Sequence, residues 1–508
     1  MSGFTPIPLG QPIPQTPHAV SCSLPTMRAV CGYEQKDPEI ISCMSSGYPR
    51  FVVHPYVRQL SDHLCAEARL TGLRLWLTSS AEMAVALSQH LSGPAGSGLG
   101  ANESVRLFSA GGINGVIHPD TAEFSTRAKV FLQNVGGFMS SREAEDHLVR
   151  LGLRREAHAE HLFAGNAEEQ VRRKLCRALP RTGDVDVFLA NSGMNAVYSA
   201  FQATAELQAS RGRTIWVQLG WLYMDTIAIL KKFTATTDDY VYLHDVFDLS
   251  ALERLFAEKG ARIAGLITEI PTNPLIQTPK VSVLTGLCRR HGAILILDPS
   301  VASVFSVNLL PHADMVVSSL TKFSGNEGDV MAGLVVINPA GKDAAQLRQR
   351  VGTRIEPIYP RDLARLAAQI GQTEAVLLRL SSTTPQVVAY LATHRKVKDV
   401  FWALSPASRS NYRDIAWHPE AVGGMISFTL QCPLEEFYDR VAIPKGPSFG
   451  MKKTILCPFM YLAHYDLVKT PAGRAELALS GIDPDLVRLC VGTEPAVEII
   501  AALDDALM

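Results

Sequence analysis

Apolar and polar positions alternate in a regular order between residues 184 and 320. Short apolar runs, typical of strands that are buried on both faces, recur through this region. They lie at 184–190, 214–219, 240–245, 263–270, 293–298 and 314–320. Segments with helical periodicity separate several of these runs, at 194–210, 248–260 and 281–292. This order predicts an α/β fold in which a mostly parallel, doubly wound sheet is covered by helices on both faces.

The flanking regions have less regular patterns. Proline recurs through residues 1–20, which favours an extended arm, and a strand-like segment at 73–78 then lies between helical segments. Beyond the sheet region, a long helical region precedes a β-rich segment at 423–432. The sequence therefore predicts a small N-terminal α/β extension, a large sheet domain and a smaller C-terminal α/β domain, at residues 1–135, 136–345 and 346–508.

Composition narrows the possible functions. The 508 residues carry a formal net charge of -1, so the chain has no electrostatic footprint for nucleic acid or an anionic membrane. The nine cysteines are scattered and never spaced C-x-x-C, which argues against a disulfide framework and a zinc site. We find no secretory signal and no apolar run of about 18 residues that would predict a membrane span. A cytoplasmic protein without a metal site is expected.

Polar residues follow the ends of the predicted strands, where ligands bind in such sheets. Asp298 closes one apolar strand and Lys322 follows the next. A carboxylate and a lysine at neighbouring strand ends suit pyridoxal phosphate, because the lysine forms a Schiff base and the carboxylate keeps the pyridine nitrogen protonated. The cofactor phosphate needs neutral donors. The candidates are the hydroxyls of Ser319 and Thr321 and the backbone N–H groups of Gly193 and Met194.

Longer motifs resemble the Cys/Met-metabolism family of pyridoxal-phosphate enzymes, which includes cystathionine γ-synthases and γ-lyases. They read SGMNA (192–196), TEIPTNPLI (268–276), LILDPS (295–300), SSLTKFSG (318–325), KGPSFG (445–450) and LVRLCVGTEP (486–495). Within the family, the chain looks most like the long branch typified by fungal cystathionine γ-synthases. The stretches shared with that branch are HAVSCSLPTM (18–27), SGYPRF (46–51), YMDT (223–226) and a run at 445–465.

The resemblance implies a fold-type I transferase and assigns roles to residues. Lys322 would bind the cofactor, Asp298 would pair with its pyridine nitrogen, and Asn273 would lie near its phenolic oxygen. Arg488 would bind the substrate α-carboxylate with help from Ser448. The implied assembly is a homodimer or homotetramer with shared active sites. The implied partner is a small amino-acid substrate.

Three departures from the family pattern affect the site. Leu219 stands where the family has a tyrosine that stacks on the cofactor, so Trp221 or Tyr223 would replace it, and Tyr223 is also the candidate acid–base group. The family lends an arginine from the neighbouring subunit to the phosphate. Ala164 and Gly165 stand where the long branch tends to have Gly-Arg, and Arg154 or Arg155 would compensate. Acidic residues also follow the lysine segment, in the run Asn326-Glu327-Gly328-Asp329.

The resemblance leaves several reactions open. One is γ-replacement, in which cysteine takes the place of the acyloxy group at Cγ of an O-acyl homoserine. Another is γ-elimination by a specialised lyase acting on an unusual amino acid, for example conversion of a chlorinated allylglycine to propargylglycine. A non-catalytic paralogue is a third reading, although Asp298, Lys322 and Arg488 are intact. An aminotransferase would share the aspartate and lysine, but the motifs at 318–322 and 445–450 resemble the γ-family instead. The N-terminal stretches would complete the active site or, as the default expectation, only cover the sheet.

Overall fold

The computed structural model describes residues 3–93 and 105–508. Its central region has a seven-stranded sheet in the order β6-β12-β11-β10-β9-β7-β8. The strands are β6 (Val187–Ala190), β7 (Ile215–Leu219), β8 (Tyr240–Leu243), β9 (Ile263–Glu269), β10 (Ile294–Asp298), β11 (Met315–Ser319) and β12 (Gly333–Ile337). Only β12 runs antiparallel to its neighbours, β6 and β11. The sheet is thus mostly parallel, as the sequence predicts.

Helices cover both faces of this sheet because successive strand residues point to opposite sides. In β10, Leu295 and Leu297 pack into one buried cluster, whereas Ile294 and Ile296 pack into another. The helices are α7 (Ala167–Ala178), α8 (Gly193–Ala209), α9 (Met224–Phe233), α10 (Leu249–Lys259), α11 (Val281–His291), α12 (Ala344–Gly352) and α13 (Pro360–Ile370). Side chains of α7, α10, α11 and α13 join the first cluster, and those of α8, α9 and α12 join the second. The doubly wound arrangement follows.

The C-terminal region is a second α/β layer. Its four-stranded antiparallel sheet has the order β13-β14-β16-β15. The strands are β13 (Val397–Trp402), β14 (Met425–Leu430), β15 (Ile455–Pro458) and β16 (Val487–Cys490). The helices are α14 (Thr373–Thr393), α15 (Arg409–Arg413), α16 (Leu434–Arg440), α17 (Phe459–Ala463), α18 (Tyr465–Val468), α19 (Pro471–Leu479) and α20 (Ala496–Leu507). The predicted boundary at residue 345 falls inside α12, whose Leu347 and Val351 pack on the central sheet.

The N-terminal region has two parts rather than the single α/β unit expected for residues 1–135. The first contains β1 (Pro12–Ile13), β2 (Ser21–Cys22), α1 (Met27–Gln35) and α2 (Pro38–Ser42). Its apolar residues, such as Leu24 and Val30, join the core of the C-terminal region. The second contains α3 (Pro55–Glu67), β3 (Leu73–Thr78), α4 (Ala81–Ser92), β4 (Arg106–Ala110), β5 (Ile113–Pro119) and α5 (Ala122–Val135). Helix α6 (Ser141–Arg150) follows and packs against α3.

The segment between these two parts leads into the centre of the molecule. Residues 45–54 connect α2 to α3 and run past the cavity-facing ends of the central strands. The arm before β2 is also packed, because Ile13 and Val20 are buried beside Phe323 of the lysine segment. Across residues 3–93 and 105–508, no helix combines the length and apolarity that crossing a membrane requires.

Candidate active site

One cavity collects almost all of the side chains that the sequence singles out. It lies beyond the ends of the central strands, between the central sheet and the C-terminal region. The predicted residues that line it are Gly193, Met194, Tyr223, Asn273, Asp298, Ser319, Thr321, Lys322, Ser448 and Arg488. Trp221 is the exception.

Lys322 reaches the cavity from the turn after β11. Its Nζ lies 2.6 Å from Ser448 Oγ and 3.5 Å from the phenol oxygen of Tyr48. The side chain is 9 % exposed, and this burial lowers the pKa of Lys322 from its ordinary value. A buried amine with a lowered pKa is more readily neutral, and a neutral amine is the form that attacks a carbonyl carbon.

Two carboxyl groups face the cavity from neighbouring strands. Asp298 ends β10 and lies in register with Glu269, which ends β9. The Asp298 carboxylate accepts a 2.8 Å hydrogen bond from the Ser300 N–H, and removal from water raises the pKa of Asp298 to about 6. Glu269 accepts a 2.5 Å hydrogen bond from the Tyr223 N–H. Burial and the neighbouring Asp298 raise the pKa of Glu269 well above its ordinary value, so the pair holds its negative charge on Asp298.

The start of α8 forms a cradle with the end of β11. Ser192 caps the helix by accepting a hydrogen bond from the Asn195 N–H, which leaves the first-turn N–H groups directed at the cavity. A Cβ added to Gly193 would lie only 2.8 Å from the Cβ of Ser319, so a larger residue would fill the cradle. A helix N-terminus with adjacent hydroxyls is a favourable phosphate site. Together with Lys322 and Asp298, these groups fit pyridoxal phosphate.

Arg488 occupies the opposite wall, on β16. Its guanidinium donates to Asn273 Oδ1 at 3.2 Å and to the Ser448 carbonyl at 2.9 Å. The rings of Phe459 and Phe449 lie 4.6 and 5.0 Å from it. Within the part of the chain that the structure describes, no carboxylate forms a salt bridge with Arg488. This arginine is oriented by neutral partners, and its charge is available to an incoming carboxylate.

Residues from the segment at 45–54 also line the cavity, so the expectation that the N-terminal stretches only cover the sheet is wrong. Tyr48 faces Lys322, and Arg50 lies beside Tyr223. The Arg50 guanidinium pairs with Asp225 at 2.7 Å and donates to the Tyr223 hydroxyl at 2.5 Å. The sequence motif of this segment is GYPRF, but its local pattern does not show that it enters the cavity.

Trp221 does not enter the cavity. Leu219 points into the sheet core, and Gly220 turns the chain with a φ of +73°, which directs Trp221 away from the strand end. The indole N–H donates to His464 Nε2 at 3.0 Å, and the ring lines a neighbouring cavity of 570 Å³. Of the two aromatic candidates, only Tyr223 lines the cavity that contains Lys322, and Tyr48 is a second tyrosine there.

The other departures lie outside the cavity. Arg154 pairs with Glu145 and stacks on Tyr56, and neither Arg154 nor Arg155 lines the cavity of its own subunit. The acidic residues after Lys322 are neutralised, since Glu327 pairs with Lys452 and Asp329 pairs with Arg365. The segment around Ala164 and Gly165 lies beside α13, to which the Phe163 N–H donates.

Comparisons with known proteins agree with this geometry. Residues 113–508 match the model of the family described as Cys/Met metabolism PLP-dependent enzyme. The chain is 38% identical to the L-2-amino-4-chloropent-4-enoate dechlorinase/desaturase of Streptantibioticus cattleyicolor, over 98% of this chain and 97% of that protein. It is 27% identical to cystathionine gamma-synthase of Neurospora crassa, over 99% of this chain and 98% of that one. The solved structure of cystathionine gamma synthase from Xanthomonas oryzae superposes with a TM-score of 0.58 at 20% identity, covering 68% of this chain and 86% of that one.

Proposed function

Because the chain belongs to the Cys/Met metabolism family of PLP-dependent enzymes, we propose that it catalyses a γ-elimination on an L-amino acid. The leaving group is small and has no carboxylate, as in the case of chloride. The family assignment confirms the predicted cofactor, pyridoxal phosphate, and the predicted α/β fold. It also confirms γ-elimination or γ-replacement chemistry as the class of reaction. The choice between these two reactions rests on the charges in the cavity.

The charge inventory of the cavity supports elimination. Among the described lining residues, the cationic side chains are Arg50, Lys322 and Arg488. Arg50 is already paired with Asp225, Lys322 is the candidate cofactor lysine, and Arg488 suits the substrate α-carboxylate. Within residues 3–93 and 105–508 of this chain, no lining cation is left for a further carboxylate. This single observation carries the proposal.

A synthase-type replacement makes larger demands on the cavity. Cysteine brings a second α-carboxylate, and a succinyl leaving group brings another. An ionised carboxylate that is buried without a partner is strongly disfavoured. The remaining walls are largely apolar, with Phe51, Val301, Phe449, Phe459 and Leu462 among them. An apolar wall accepts a chlorinated carbon chain without such a penalty.

The residues of this chain then have definite tasks. Pyridoxal phosphate, when bound, supplies an electron-accepting ring that stabilises negative charge at the substrate Cα. Arg488 holds the α-carboxylate, which orients the Cα–H bond towards the lysine. Lys322, whose pKa is lowered by burial, accepts the Cα proton in its neutral form. Asp298 carries the negative charge that keeps the pyridine nitrogen protonated, while Glu269 stays neutral beside it.

Cystathionine γ-synthase activity is the second candidate. The observation in its favour is that similarity to the Neurospora crassa synthase extends over 99% of this chain, which includes the N-terminal region. The relative at 38% identity favours elimination, since its name describes a dechlorinase/desaturase. A homodimeric or homotetrameric assembly with shared sites and a cytoplasmic location stay predictions from the sequence.

The two reactions are separated by product analysis. The protein, loaded with pyridoxal phosphate, is incubated with L-2-amino-4-chloropent-4-enoate, O-acetylhomoserine or O-succinylhomoserine, each with and without L-cysteine. We expect chloride release from the first compound, independent of cysteine, and little turnover of the others. Cystathionine formation from an acyl homoserine, without chloride release from the chlorinated compound, would refute the proposal.

A further inference from the structure

The amine of Lys322 contacts the phenol of Tyr48 as well as the hydroxyl of Ser448. Tyr48, from the segment between α2 and α3, places its phenol oxygen 3.5 Å from Lys322 Nζ, and its ring centroid lies 4.9 Å from the same nitrogen. Tyr48 is 8 % exposed, so bulk water has little access to the contact. We infer that Tyr48 exchanges protons directly with Lys322 and thereby makes the N-terminal region part of the catalytic apparatus.

The proposed γ-elimination, on which this inference rests, explains the need for such a partner. Removal of a group from Cγ requires that a proton leave Cα and that a second proton leave Cβ. A lysine that has accepted the first proton has no lone pair for the second. If the Lys322 ammonium passes its proton to the Tyr48 phenolate, an N–H bond breaks and an O–H bond forms, and no electrons are gained or lost. Lys322 is then neutral again and can accept the Cβ proton.

Ser448 is closer to Lys322 than Tyr48 is, but it cannot take this role. Its Oγ lies 2.6 Å from Nζ. An aliphatic hydroxyl is a far weaker acid than a phenol, so it does not hold the negative charge that a proton acceptor for an ammonium group requires. Ser448 orients the amine by a hydrogen bond. Tyr48 is the neighbour that can alternate between two protonation states.

The charges around the two cavity tyrosines distinguish them. Burial alone would raise the pKa of Tyr48, but the positive charges of Lys322 and Arg50 outweigh this effect and lower the pKa below its ordinary value. Burial and the nearby Asp225 raise the pKa of Tyr223 well above its ordinary value. Arg50 lies between the two phenols, 5.4 Å from the centroid of the Tyr48 ring. Its carboxylate partner, Asp225, is on the side of Tyr223. Tyr223 therefore stays a neutral phenol.

The other ionisable groups of the cavity favour a phenolate at Tyr48. They are Arg50, Tyr223, Glu269, Asp298, Cys457 and Arg488. Glu269 is held neutral, so Asp298 is the only carboxylate in the described lining that carries charge near neutral pH. The cationic side chains outnumber it, which gives the surroundings of Tyr48 a positive balance.

Hydrogen exchange measures the two proton transfers separately. The cofactor-loaded protein is incubated in D₂O with L-norvaline, which has no leaving group, and deuterium at Cα and Cβ is followed by NMR. For Tyr48→Phe we expect Cα exchange to be retained, because the amine can return a deuteron without a partner. Cβ exchange should fall by about 100-fold, which is typical of a lost acid–base group. In the control Tyr390→Phe, on α14 and outside the described lining of the cavity, the ratio of Cβ to Cα exchange should stay that of the wild type.

Each other outcome counts against the inference. Equal losses of Cα and Cβ exchange in Tyr48→Phe would mean that the ring only shapes the cavity. Unchanged Cβ exchange, or a wild type that never exchanges Cβ, would also overturn it. Wild-type Cβ exchange without chloride release from L-2-amino-4-chloropent-4-enoate would instead refute the proposed function and leave the role of Tyr48 standing.

A second measurement does not depend on turnover. Ultraviolet difference titration of the apoprotein against Tyr48→Phe should reveal one phenol that ionises below the usual tyrosine range of about 10. In Lys322→Ala, the same phenol should ionise at higher pH, because a cation has been removed. Titration curves of wild type and Tyr48→Phe that coincide would overturn the inference, provided that thermal melting shows both proteins folded.

Discussion

Glu269 and Asp298 lie opposite each other at the ends of neighbouring parallel strands, with only one of the two carboxyl groups charged. This pairing has a consequence for stability. The folded state holds a proton on Glu269 at pH values at which the unfolded chain, with an ordinary value of 4.5, has released it. Stability of the apoprotein should therefore fall as the pH rises above 4.5.

Glu269→Gln removes this dependence. Glutamine resembles the protonated glutamic acid, and its carbonyl can still accept the Tyr223 N–H. We expect the variant to gain stability relative to the wild type as the pH rises, measured by urea unfolding of the apoprotein between about pH 5 and pH 8. Glu253→Gln, at an exposed position on α10, is the control and should follow the wild type at every pH. A variant that is less stable than wild type at the upper pH would contradict the protonation assigned here.

Lys322→Ala should abolish covalent attachment of the cofactor. Mass spectrometry after borohydride reduction should detect the added cofactor mass on the wild type and none on the variant. Turnover should fall by about 1,000-fold or more, because the nucleophile and the proton acceptor are lost together. Lys398→Ala removes an exposed lysine and should retain the reduced adduct. Attachment at another lysine in Lys322→Ala would show that the assignment is wrong.

Arg488→Lys keeps the positive charge but loses the forked geometry of the guanidinium. The lysine ammonium cannot bind both oxygens of the substrate α-carboxylate in the same plane. We expect kcat/KM to fall by about 100-fold, with most of the change in KM. Arg474→Lys, on the exposed side of α19, is the control. A change in kcat with an unaltered KM would argue against a carboxylate-binding role.

Arg50→Ala leaves the carboxylate of Asp225 buried without its partner. A buried pair that loses one member costs about 3–5 kcal/mol in the free energy of unfolding. Arg28 and Glu39 form an exposed pair of similar length, 2.9 Å against 2.7 Å, so Arg28→Ala is a matched control that should cost less than about 1 kcal/mol. Urea unfolding of both apoproteins gives the comparison. Equal losses would mean that burial of the Arg50 pair contributes nothing.

Gly193→Ala should weaken cofactor binding more than it weakens the fold. The new methyl group would lie 2.8 Å from the Cβ of Ser319, so the cradle between α8 and β11 must widen or fill. We expect the Kd for pyridoxal phosphate to rise by about tenfold or more, measured by fluorescence titration of the apoprotein. Gly286→Ala, in α11, is the control because nothing lies within 4 Å of its added Cβ. Unchanged affinity in Gly193→Ala would place the phosphate elsewhere.

The central sheet and its polar strand ends follow from the sequence because they depend on local patterns. The apolar composition of a buried strand can be recognised in the sequence. The parallel pairing of β10 and β11 then brings Asp298 and Lys322 to the same edge of the central sheet. Strand β12 is not part of the predicted alternation, although it is fully buried, because it follows the lysine segment without a helix between them and runs antiparallel. The predicted residues at the ends of the central strands converge for the same topological reason, whereas Ser448 and Arg488 reach the cavity from the C-terminal region.

The parts that the sequence did not reveal depend on contacts between distant segments. Trp221 and Tyr223 are two residues apart, and only the left-handed turn at Gly220 decides which of them faces the cavity. Tyr48 and Lys322 are separated by 274 positions, so no local pattern links them. The same is true of Arg50 and Asp225, which form a buried ion pair although they are far apart in the sequence.

The packing of the first segment on the last region has a consequence for biosynthesis. The Met27 N–H donates to Asp439 across 412 positions, and the Ser21 hydroxyl donates to the Pro447 carbonyl across 426. During translation, the part of the chain that carries Tyr48 therefore emerges long before the surface on which its neighbours pack. Domains made early generally fold first, and pairings this far apart form late. Closure of the cavity thus waits until residues 439–447 have been made, and a product terminated before them lacks the surface on which residues 21–27 pack.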